Sequence, residues 1–322
     1  MRLRDAARGQ VMKKFFLKIL IFGVLYICIV GFFLLLSADE RWKFPIAELT
    51  KSNEYIYENF GSNEIIPYIR RVQEKNEYTK LVLGDSVCNQ VFERYYGKND
   101  VYCICGTNQA VSIAGQYLLA KEFVENHENV TDIYLVIIMD SLTTTYNAQF
   151  GYQYAVMPFV ETDTIGNLDQ DTRKEISNMY GGIFCQKPVV KMIHESPLCM
   201  KLYLNLLAKK NEALPRKAQG LISDLSYRYL EKIQELCEER EIQFHLVPGP
   251  HADSEDQHTR AGQVYNEAEE KGDTLGIRGY VGQIVYYPEE LFRDRVHFDG
   301  EKVGDIFFQD LAKSLVPGIK VE

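Results

Sequence analysis

Apolar residues are concentrated in one long run near the amino terminus of this chain. The run extends from Ile19 to Leu36 without a charged residue. As a helix it measures about 27 Å, and Phe15 to Leu17 lengthen it enough to cross the hydrocarbon core of a bilayer. A signal peptide would have a shorter apolar region that ends in a small-residue cleavage site, and Ser37-Ala38-Asp39 matches such a site poorly. The pattern therefore predicts an uncleaved transmembrane anchor at residues 15–36.

Beyond the anchor, apolar residues occur in short runs that are bounded by turn or charged residues, as is typical of buried parallel strands. Patterns with helical spacing lie between these runs. This alternation predicts an α/β domain with a five-stranded parallel sheet that is covered by helices on both faces. The predicted strands are Leu81–Leu83, Val101–Cys105, Ile133–Met139, Phe244–Val247 and Ile284–Tyr286. The predicted helices are Ile65–Lys75, the segment of Val87, Val91 and Tyr95 after Ser86, Leu221–Arg240, and a last helix with Val303, Ile306, Phe307 and Leu311 on one face.

Two segments do not fit this alternation. Residues 37–62 lack a clear period, and we interpret them as a stalk that lifts a single domain, residues 63–322, off the membrane. Residues 140–210 are too long for one crossover and predict an insertion over the carboxyl edge of the sheet. The aromatic residues of this insertion, among them Tyr146 and Tyr152, either line a cleft and stack on sugar rings or form a small satellite core.

Charge sets the orientation of the anchor and narrows the range of partners. The first 18 residues contain six basic residues and only one acidic residue. The positive-inside rule therefore places residues 1–14 in the cytoplasm as a basic tail, and the rest of this single-pass protein outside the cell membrane. The formal net charge of the whole chain is −9 and that of its first 18 residues is +5, so the net charge of the exported part is −14. Such a domain is a poor binder of nucleic acid and suits a neutral or cationic substrate.

The cysteines and His251 point to no cofactor. Six of the seven cysteines lie outside the anchor, at spacings that match no metal site, and we favour buried free thiols over disulfides. His251 comes after a predicted strand and Pro248-Gly249-Pro250, so we expect it at the carboxyl edge of the sheet. The loop that carries it is either solvated or touches substrate. No metal ion and no cofactor are predicted.

Two short motifs carry candidate chemistry. Gly84-Asp85-Ser86 follows a predicted strand, and such a turn exposes the Ser86 hydroxyl at the sheet edge where open α/β folds place their chemistry. Asp294-Arg295-Val296-His297 comes just before the last predicted helix. A carboxylate at this spacing can fix the imidazole, and the imidazole can then take the serine proton. Ser86, His297 and Asp294 therefore predict a hydrolytic triad; without a catalytic role they are a helix cap and a surface turn.

At these residues the chain resembles the SGNH (GDSL-type) hydrolase family, whose fold is a flavodoxin-like three-layer sandwich. Gly84-Asp85-Ser86-Val87 is similar to the first block of the family, which carries the nucleophile. Asp294 and His297 are similar to the last block, with His297 as general base and Asp294 as its orienter. The resemblance also implies that the N–H groups of Ser86 and Gly106 point at the developing oxyanion, where each such donor contributes roughly 3–4 kcal/mol.

The third block departs from the family pattern. A typical member has Gly-x-Asn-Asp after the third strand, and the asparagine is a third oxyanion donor. This chain has Asp140-Ser141-Leu142-Thr143 there, so Ser141 or Asn108 would have to substitute. The departure, together with a single amino-terminal span, is similar to the membrane-anchored SGNH proteins that act on cell-envelope polymers.

The resemblance implies a serine esterase or O-acyltransferase that acts on acyl groups, acetyl above all, of cell-envelope carbohydrate. A membrane-embedded acyltransferase is an expected partner. Transfer and hydrolysis share one acyl-enzyme and differ in whether a sugar or water attacks it. The alternative is a noncatalytic SGNH-shaped domain that binds glycan or scaffolds an envelope polysaccharide biosynthesis complex. The intact triad favours the enzyme, and the missing asparagine favours the alternative.

Overall fold

The computed structural model describes residues 2–52, 65–107, 110, 112–146, 151–211, 221–272 and 282–321. The chain forms two compact units. The first unit comprises Met1–Ser62 and Pro188–Leu206, and the second comprises Asn63–Lys187 and Leu207–Glu322. The sequence predicts one domain at residues 63–322 with an insertion at residues 140–210. The predicted insertion is divided, however, because residues 188–206 group with the amino-terminal segment and not with the sheet.

The described residues form twelve α-helices, six strands and several single turns of 3₁₀ or π geometry. The helices are α1 (Arg2–Leu36), α2 (Lys43–Leu49), α3 (Ile66–Gln73), α4 (Ser86–Phe92), α5 (Ile113–Asn126), α6 (Met157–Glu161), α7 (Gln170–Tyr180), α8 (Lys187–Glu195), α9 (Pro197–Asn211), α10 (Asp224–Glu239), α11 (Glu255–Gly272) and α12 (Asp305–Leu315). The strands are β1 (Lys80–Gly84), β2 (Tyr102–Gly106), β3 (Asp132–Ile137), β4 (Gln243–Pro248), β5 (His251–Ala252) and β6 (Tyr286–Tyr287). The shorter turns are Glu93–Tyr95, Met139–Thr143, Gly151–Val156, Thr164–Asn167, Gly182–Cys185 and Glu289–Leu291.

The first unit is dominated by α1. Met12–Leu36 has a mean hydropathy of 3.0 and is not buried, and within the described residues it is the one helix long and apolar enough to cross a membrane. The predicted basic tail and anchor are thus a single continuous helix. The predicted stalk is not featureless, because it contains α2; residues 53–62 of it lie outside the described part of the chain.

The second unit is built on a four-stranded parallel sheet in the order β2-β1-β3-β4. These are the first four strands of the flavodoxin-like order. Successive residues of a strand point to opposite faces. On one face, Val82, Ile104 and Val136 belong to an apolar core that includes residues of α4 and α12. On the other face α3, α5 and α10 pack together and against the sheet.

The predicted fifth strand of this sheet is not shown in the described part of the chain. Tyr286–Tyr287 forms a strand but pairs in parallel with His251–Ala252, in a separate two-stranded sheet. At the end of β4 the chain reads Pro248-Gly249-Pro250, and proline has no N–H to donate to a ladder. The Gly249 N–H still donates to the Ile137 carbonyl of β3 at 2.7 Å, and the Leu246 carbonyl of β4 accepts the Gly282 N–H at 3.0 Å. After Pro250 the His251 N–H donates to the Val285 carbonyl at 3.1 Å, where the separate sheet begins.

The exposed edge of the sheet is covered by side chains. Arg71 of α3 donates to the outward Ile104 carbonyl of β2 at 2.5 Å and pairs with both carboxylate oxygens of Glu93 at 2.8 and 2.9 Å. Asn89 of α4 donates to the Gly106 carbonyl at 2.8 Å. Side chains thus occupy these carbonyls, which an unprotected edge strand would leave open to pairing with another chain.

Gly84 and Gly106 end adjacent strands where backbones approach each other closely. A Cβ at Gly84 would lie 1.8 Å from the Val136 carbonyl oxygen, and a Cβ at Gly106 would lie 2.5 Å from the Asn89 nitrogen. Neither contact is possible without moving backbone. Glycine at both positions therefore allows α4 to pack directly on the ends of β1 and β2.

We expect Gly106→Ala to destabilise the protein by about 1–3 kcal/mol, because the added methyl must displace the backbone of α4. The full-length protein in detergent should show a clearly lower Tm by circular dichroism. Gly262→Ala is the matched control, since Gly262 lies in α11 and a Cβ there meets nothing within 4 Å. An unchanged Tm for Gly106→Ala would contradict the close approach.

Candidate active site at the carboxyl edge of the sheet

Ser86 lies at the point where β1 ends and α4 begins. Asp85 is the N-cap of α4, and its carboxylate accepts the Val87 N–H at 3.0 Å. This cap stops the strand and starts the helix within two residues, which is the local reason why the serine stands on a sharp turn. The side chain of Ser86 is half-buried. Its hydroxyl is therefore presented at the carboxyl edge of the sheet, as the sequence predicts.

The structure brings Ser86, His297 and Asp294 into hydrogen-bond contact. His297 Nε2 lies 2.8 Å from Ser86 Oγ. His297 Nδ1 lies 3.0 and 3.1 Å from the two carboxylate oxygens of Asp294. These are the distances at which a carboxylate orients an imidazole and the imidazole can accept a hydroxyl proton. The catalytic role of the three residues stays a prediction, while their mutual geometry is the one that the role requires.

Asp294 is fixed by the backbone of its own turn. Its Oδ1 accepts the N–H groups of Val296 at 3.0 Å and of His297 at 2.8 Å. Partial burial by itself would raise the pKa of Asp294, but these N–H donors and the His297 ring outweigh it, and the pKa lies below its usual value. The carboxylate is therefore ionised at neutral pH and stabilises the imidazolium that would form when His297 takes a proton.

Gln90 connects α4 to the turn that carries His297, and no sequence motif marks it. Its Oε1 accepts the Phe298 N–H at 3.0 Å, and its Nε2 donates to the Phe298 carbonyl at 2.8 Å. Ser86 and Gln90 are four residues apart on α4 and so share one face of the helix. The four-residue spacing between Ser86 and Gln90 is the one sequence feature that could indicate this role. A glutamine four residues after a serine is common on helices, so the spacing alone does not identify Gln90. Gln90 is a positioning residue, because it holds the residue next to His297.

Asp85 is buried and joins three elements. Besides the Val87 N–H, its carboxylate accepts the Ile138 N–H at 2.8 Å and the Ser141 hydroxyl at 2.7 Å. Burial raises the pKa of Asp85, and the hydrogen bonds oppose that shift. Since Ser141 has one hydroxyl hydrogen and donates it to Asp85, it is not free to donate to an oxyanion. The third-block position thus supports the nucleophile turn and does not replace the missing asparagine.

The other predicted oxyanion donors are the Gly106 N–H and Asn108. Gly106 packs against α4, where its backbone approaches Asn89; its N–H as an oxyanion donor stays a prediction. The neighbouring Thr107 N–H donates to the Gly84 carbonyl at 2.8 Å, so it is already engaged. Asn108 lies outside the described residues.

The predictions that Tyr146, Tyr152 and His251 contact substrate are not supported by their burial. Tyr152 has no exposed surface, and its hydroxyl donates to the Phe184 carbonyl at 2.7 Å. Tyr146 is also buried. Neither ring has an exposed face on which a sugar could stack, and this burial favours a small satellite core over a cleft.

His251 lies at the predicted edge but inside the protein. It is fully buried, and its Nδ1 lies 3.0 Å from Gln257 Oε1. Burial lowers the pKa of His251, so its neutral form is favoured at neutral pH. The adjacent Ala252 N–H donates to the Arg295 carbonyl at 3.2 Å. The Ala252 backbone is thereby bonded to the turn that carries His297. The His251 side chain is buried and does not reach a substrate from this position.

Comparisons with known proteins show no family for this chain. No family model matches the chain, and no curated protein matches it. One solved structure, described as "a putative platelet activating factor from Streptococcus pneumonia", is similar over 78% of this chain and 89% of that chain, with 13% sequence identity and a TM-score of 0.34. A similarity at this level carries no argument about fold or function.

We expect Gln90→Ala to lower turnover of a small acetyl ester by about tenfold or more with little change in KM, because a small displacement of His297 weakens proton transfer without altering substrate contacts. Turnover of p-nitrophenyl acetate checks this. Gln186→Ala is the control, since the Gln186 side chain donates to the Gly182 carbonyl of its own turn. Gln90→Glu, which keeps the acceptor for the Phe298 N–H, should retain more activity than Gln90→Ala. Equal kcat in wild type and Gln90→Ala would remove the positioning role.

Proposed function

We propose that the protein is a membrane-anchored, extracytoplasmic SGNH-type serine esterase or O-acyltransferase that acts on acetyl or other acyl groups of cell-envelope carbohydrate. The observation that carries this proposal is the continuous contact from Asp294 through His297 to the Ser86 hydroxyl. Such a chain activates a serine for acyl transfer, and it recurs on unrelated folds wherever that chemistry is needed.

In the proposed reaction, Ser86 Oγ attacks the acyl carbonyl carbon while His297 Nε2 takes the hydroxyl proton. The carbonyl oxygen becomes an oxyanion, for which the Ser86 and Gly106 N–H groups are the proposed donors. When the tetrahedral intermediate collapses, His297 returns the proton to the departing sugar alkoxide and an acyl-serine remains. Water or a second sugar hydroxyl then attacks this ester, again with His297 as base, and Ser86 recovers its proton from His297.

A noncatalytic role is the second candidate. The Ser141 hydroxyl is engaged by Asp85, so Ser141 does not supply the third donor that the family's asparagine provides. Loss of one such donor lowers kcat by about 10²–10³. A domain of this shape could bind glycan or scaffold a biosynthetic complex in which a membrane-embedded acyltransferase performs the chemistry.

Covalent labelling separates the two candidates without knowledge of the substrate. A fluorophosphonate probe should modify Ser86 of the full-length protein, because only an activated serine reacts rapidly with it. Ser86→Ala should abolish the adduct.

Ser86→Ala and His297→Ala should each lower p-nitrophenyl acetate turnover by about 10³-fold or more, and not additively. Ser314→Ala is the matched control, since the Ser314 hydroxyl bonds to its own helix at Leu311. No adduct at Ser86 would favour the noncatalytic role.

Acceptor dependence separates esterase from transferase. A transferase must protect its acyl-enzyme from water, so we expect slow release of acetate that becomes faster when envelope oligosaccharides are added. Mass spectrometry should then detect acetylated oligosaccharide in amounts that account for the extra turnover. Fast hydrolysis with no acetylated sugar across a panel of acceptors would instead identify a deacylating esterase.

A further inference from the structure

The first unit carries exposed apolar side chains beside the end of α1. They are Trp42 (50% exposed), Phe44 (61%), Leu49 (81%), Leu202 (47%) and Leu206 (62%), and we call these five residues the juxtamembrane patch. Trp42 immediately precedes α2, which carries Phe44 and Leu49, while Leu202 and Leu206 lie on α9. Soluble surfaces rarely gather so many large apolar side chains without a partner.

The two halves of the patch are joined to each other and to α1. Ser37, the residue after α1, is buried and its hydroxyl contacts the hydroxyl of Ser196, which directly precedes α9. One helical turn further, Lys201 Nζ donates to the Thr50 carbonyl at 2.7 Å, next to the end of α2. These bonds fix α2 and α9 at the carboxyl end of the apolar helix.

On α9 the exposed side chains form a defined face. Leu202 and Leu206 are four residues apart and therefore share one side of the helix. Met200, Tyr203, Leu204 and Leu207 form the buried side. An amphipathic helix in water exposes polar residues opposite its core face, whereas α9 exposes leucines there. The exposed face of α9 is therefore suited to contact an apolar environment outside the protein core.

The apolar helix indicates what covers this face. The Met12–Leu36 segment is about 37 Å long, apolar and unburied, which is enough to cross the hydrocarbon core of a bilayer, about 30 Å thick. Its end at Leu36 is then at the membrane boundary, which is the level at which Ser37 meets Ser196. Tryptophan and phenylalanine favour this boundary, where an amphipathic helix lies in the plane of the bilayer.

We propose that the juxtamembrane patch inserts into the outer boundary of the lipid bilayer that α1 crosses, so that α2 and α9 lie on the membrane surface. The first unit is then seated on the bilayer, in place of the stalk that the sequence predicts. Nearby charges are mixed, since Asp39 pairs with Arg41 and Glu40 with Lys43. Insertion therefore depends on apolar contact and needs no anionic lipid. The proposal rests on α1 as a membrane span and not on the proposed catalysis.

Trp42 is the single tryptophan of the chain, so its fluorescence reports on the patch directly. The full-length protein is reconstituted in phosphatidylcholine vesicles that contain lipid brominated either near the headgroup or near the chain terminus. We expect blue-shifted emission and about twofold quenching by the shallow bromine, with less by the deep one. The doubly substituted protein Trp42→Phe/Leu206→Trp moves the probe to α9 and should give the same result.

Charge substitutions provide the matched control. Leu202→Glu/Leu206→Glu should reduce quenching of Trp42 by half or more, while Lys191→Glu, which changes the net charge equally at an exposed polar position of α8, should not. Circular dichroism confirms that each variant is folded. Water-like, unquenched emission from the tryptophan introduced on α9 would overturn insertion of that helix if the protein resists carbonate extraction. Release by carbonate would overturn the anchor and the patch together, and neither outcome bears on the labelling of Ser86.

Discussion

The arrangement of the candidate site depends on the buried carboxylate of Asp85. This one side chain ends β1, caps α4 and binds the end of β3 through the Ile138 N–H and the Ser141 hydroxyl. A buried carboxyl is tolerated only when its oxygens are hydrogen-bonded. The need to satisfy Asp85 therefore fixes where β1 and β3 end relative to each other. Ser86, the next residue, takes its position from that fixed point.

The fold is largely predictable from the sequence, because strands that are buried on both faces of the sheet appear as continuous apolar runs. Four strands were predicted within one or two residues, since a continuous apolar run between turn residues is typical of a strand buried on both faces. The fifth strand is not shown in this sheet, because Tyr286–Tyr287 pairs with His251–Ala252 instead, a pairing that the apolar pattern of Ile284–Tyr286 does not reveal. The described part of the predicted stalk contains α2, and Thr50 after this helix accepts a hydrogen bond from Lys201 of α9. No local period records such a contact, because α9 lies far away in sequence.

The site was predictable only in part. Ser86, Asp294 and His297 lie together, as their motifs predict, because a strand-turn-helix and a carboxylate-histidine turn each have strong local signatures. Gln90 and Ser141 act through hydrogen bonds to distant backbone or side chains and have no such signature. Tyr146 and Tyr152 illustrate the opposite error, since an aromatic residue in a long connection looks the same in sequence whether its ring is buried or free. Hydrogen bonding and burial, rather than residue type, decided these roles.

The candidate site becomes complete late in synthesis, because it joins distant parts of the chain. The contact between Ser86 and His297 joins residues that are 211 positions apart, and it depends on the carboxyl-terminal segment docking on α4. During synthesis the serine, its cap and the first strands are made long before the histidine turn exists. Ser86 and His297 therefore cannot meet until the carboxyl-terminal segment has been made and has docked on α4.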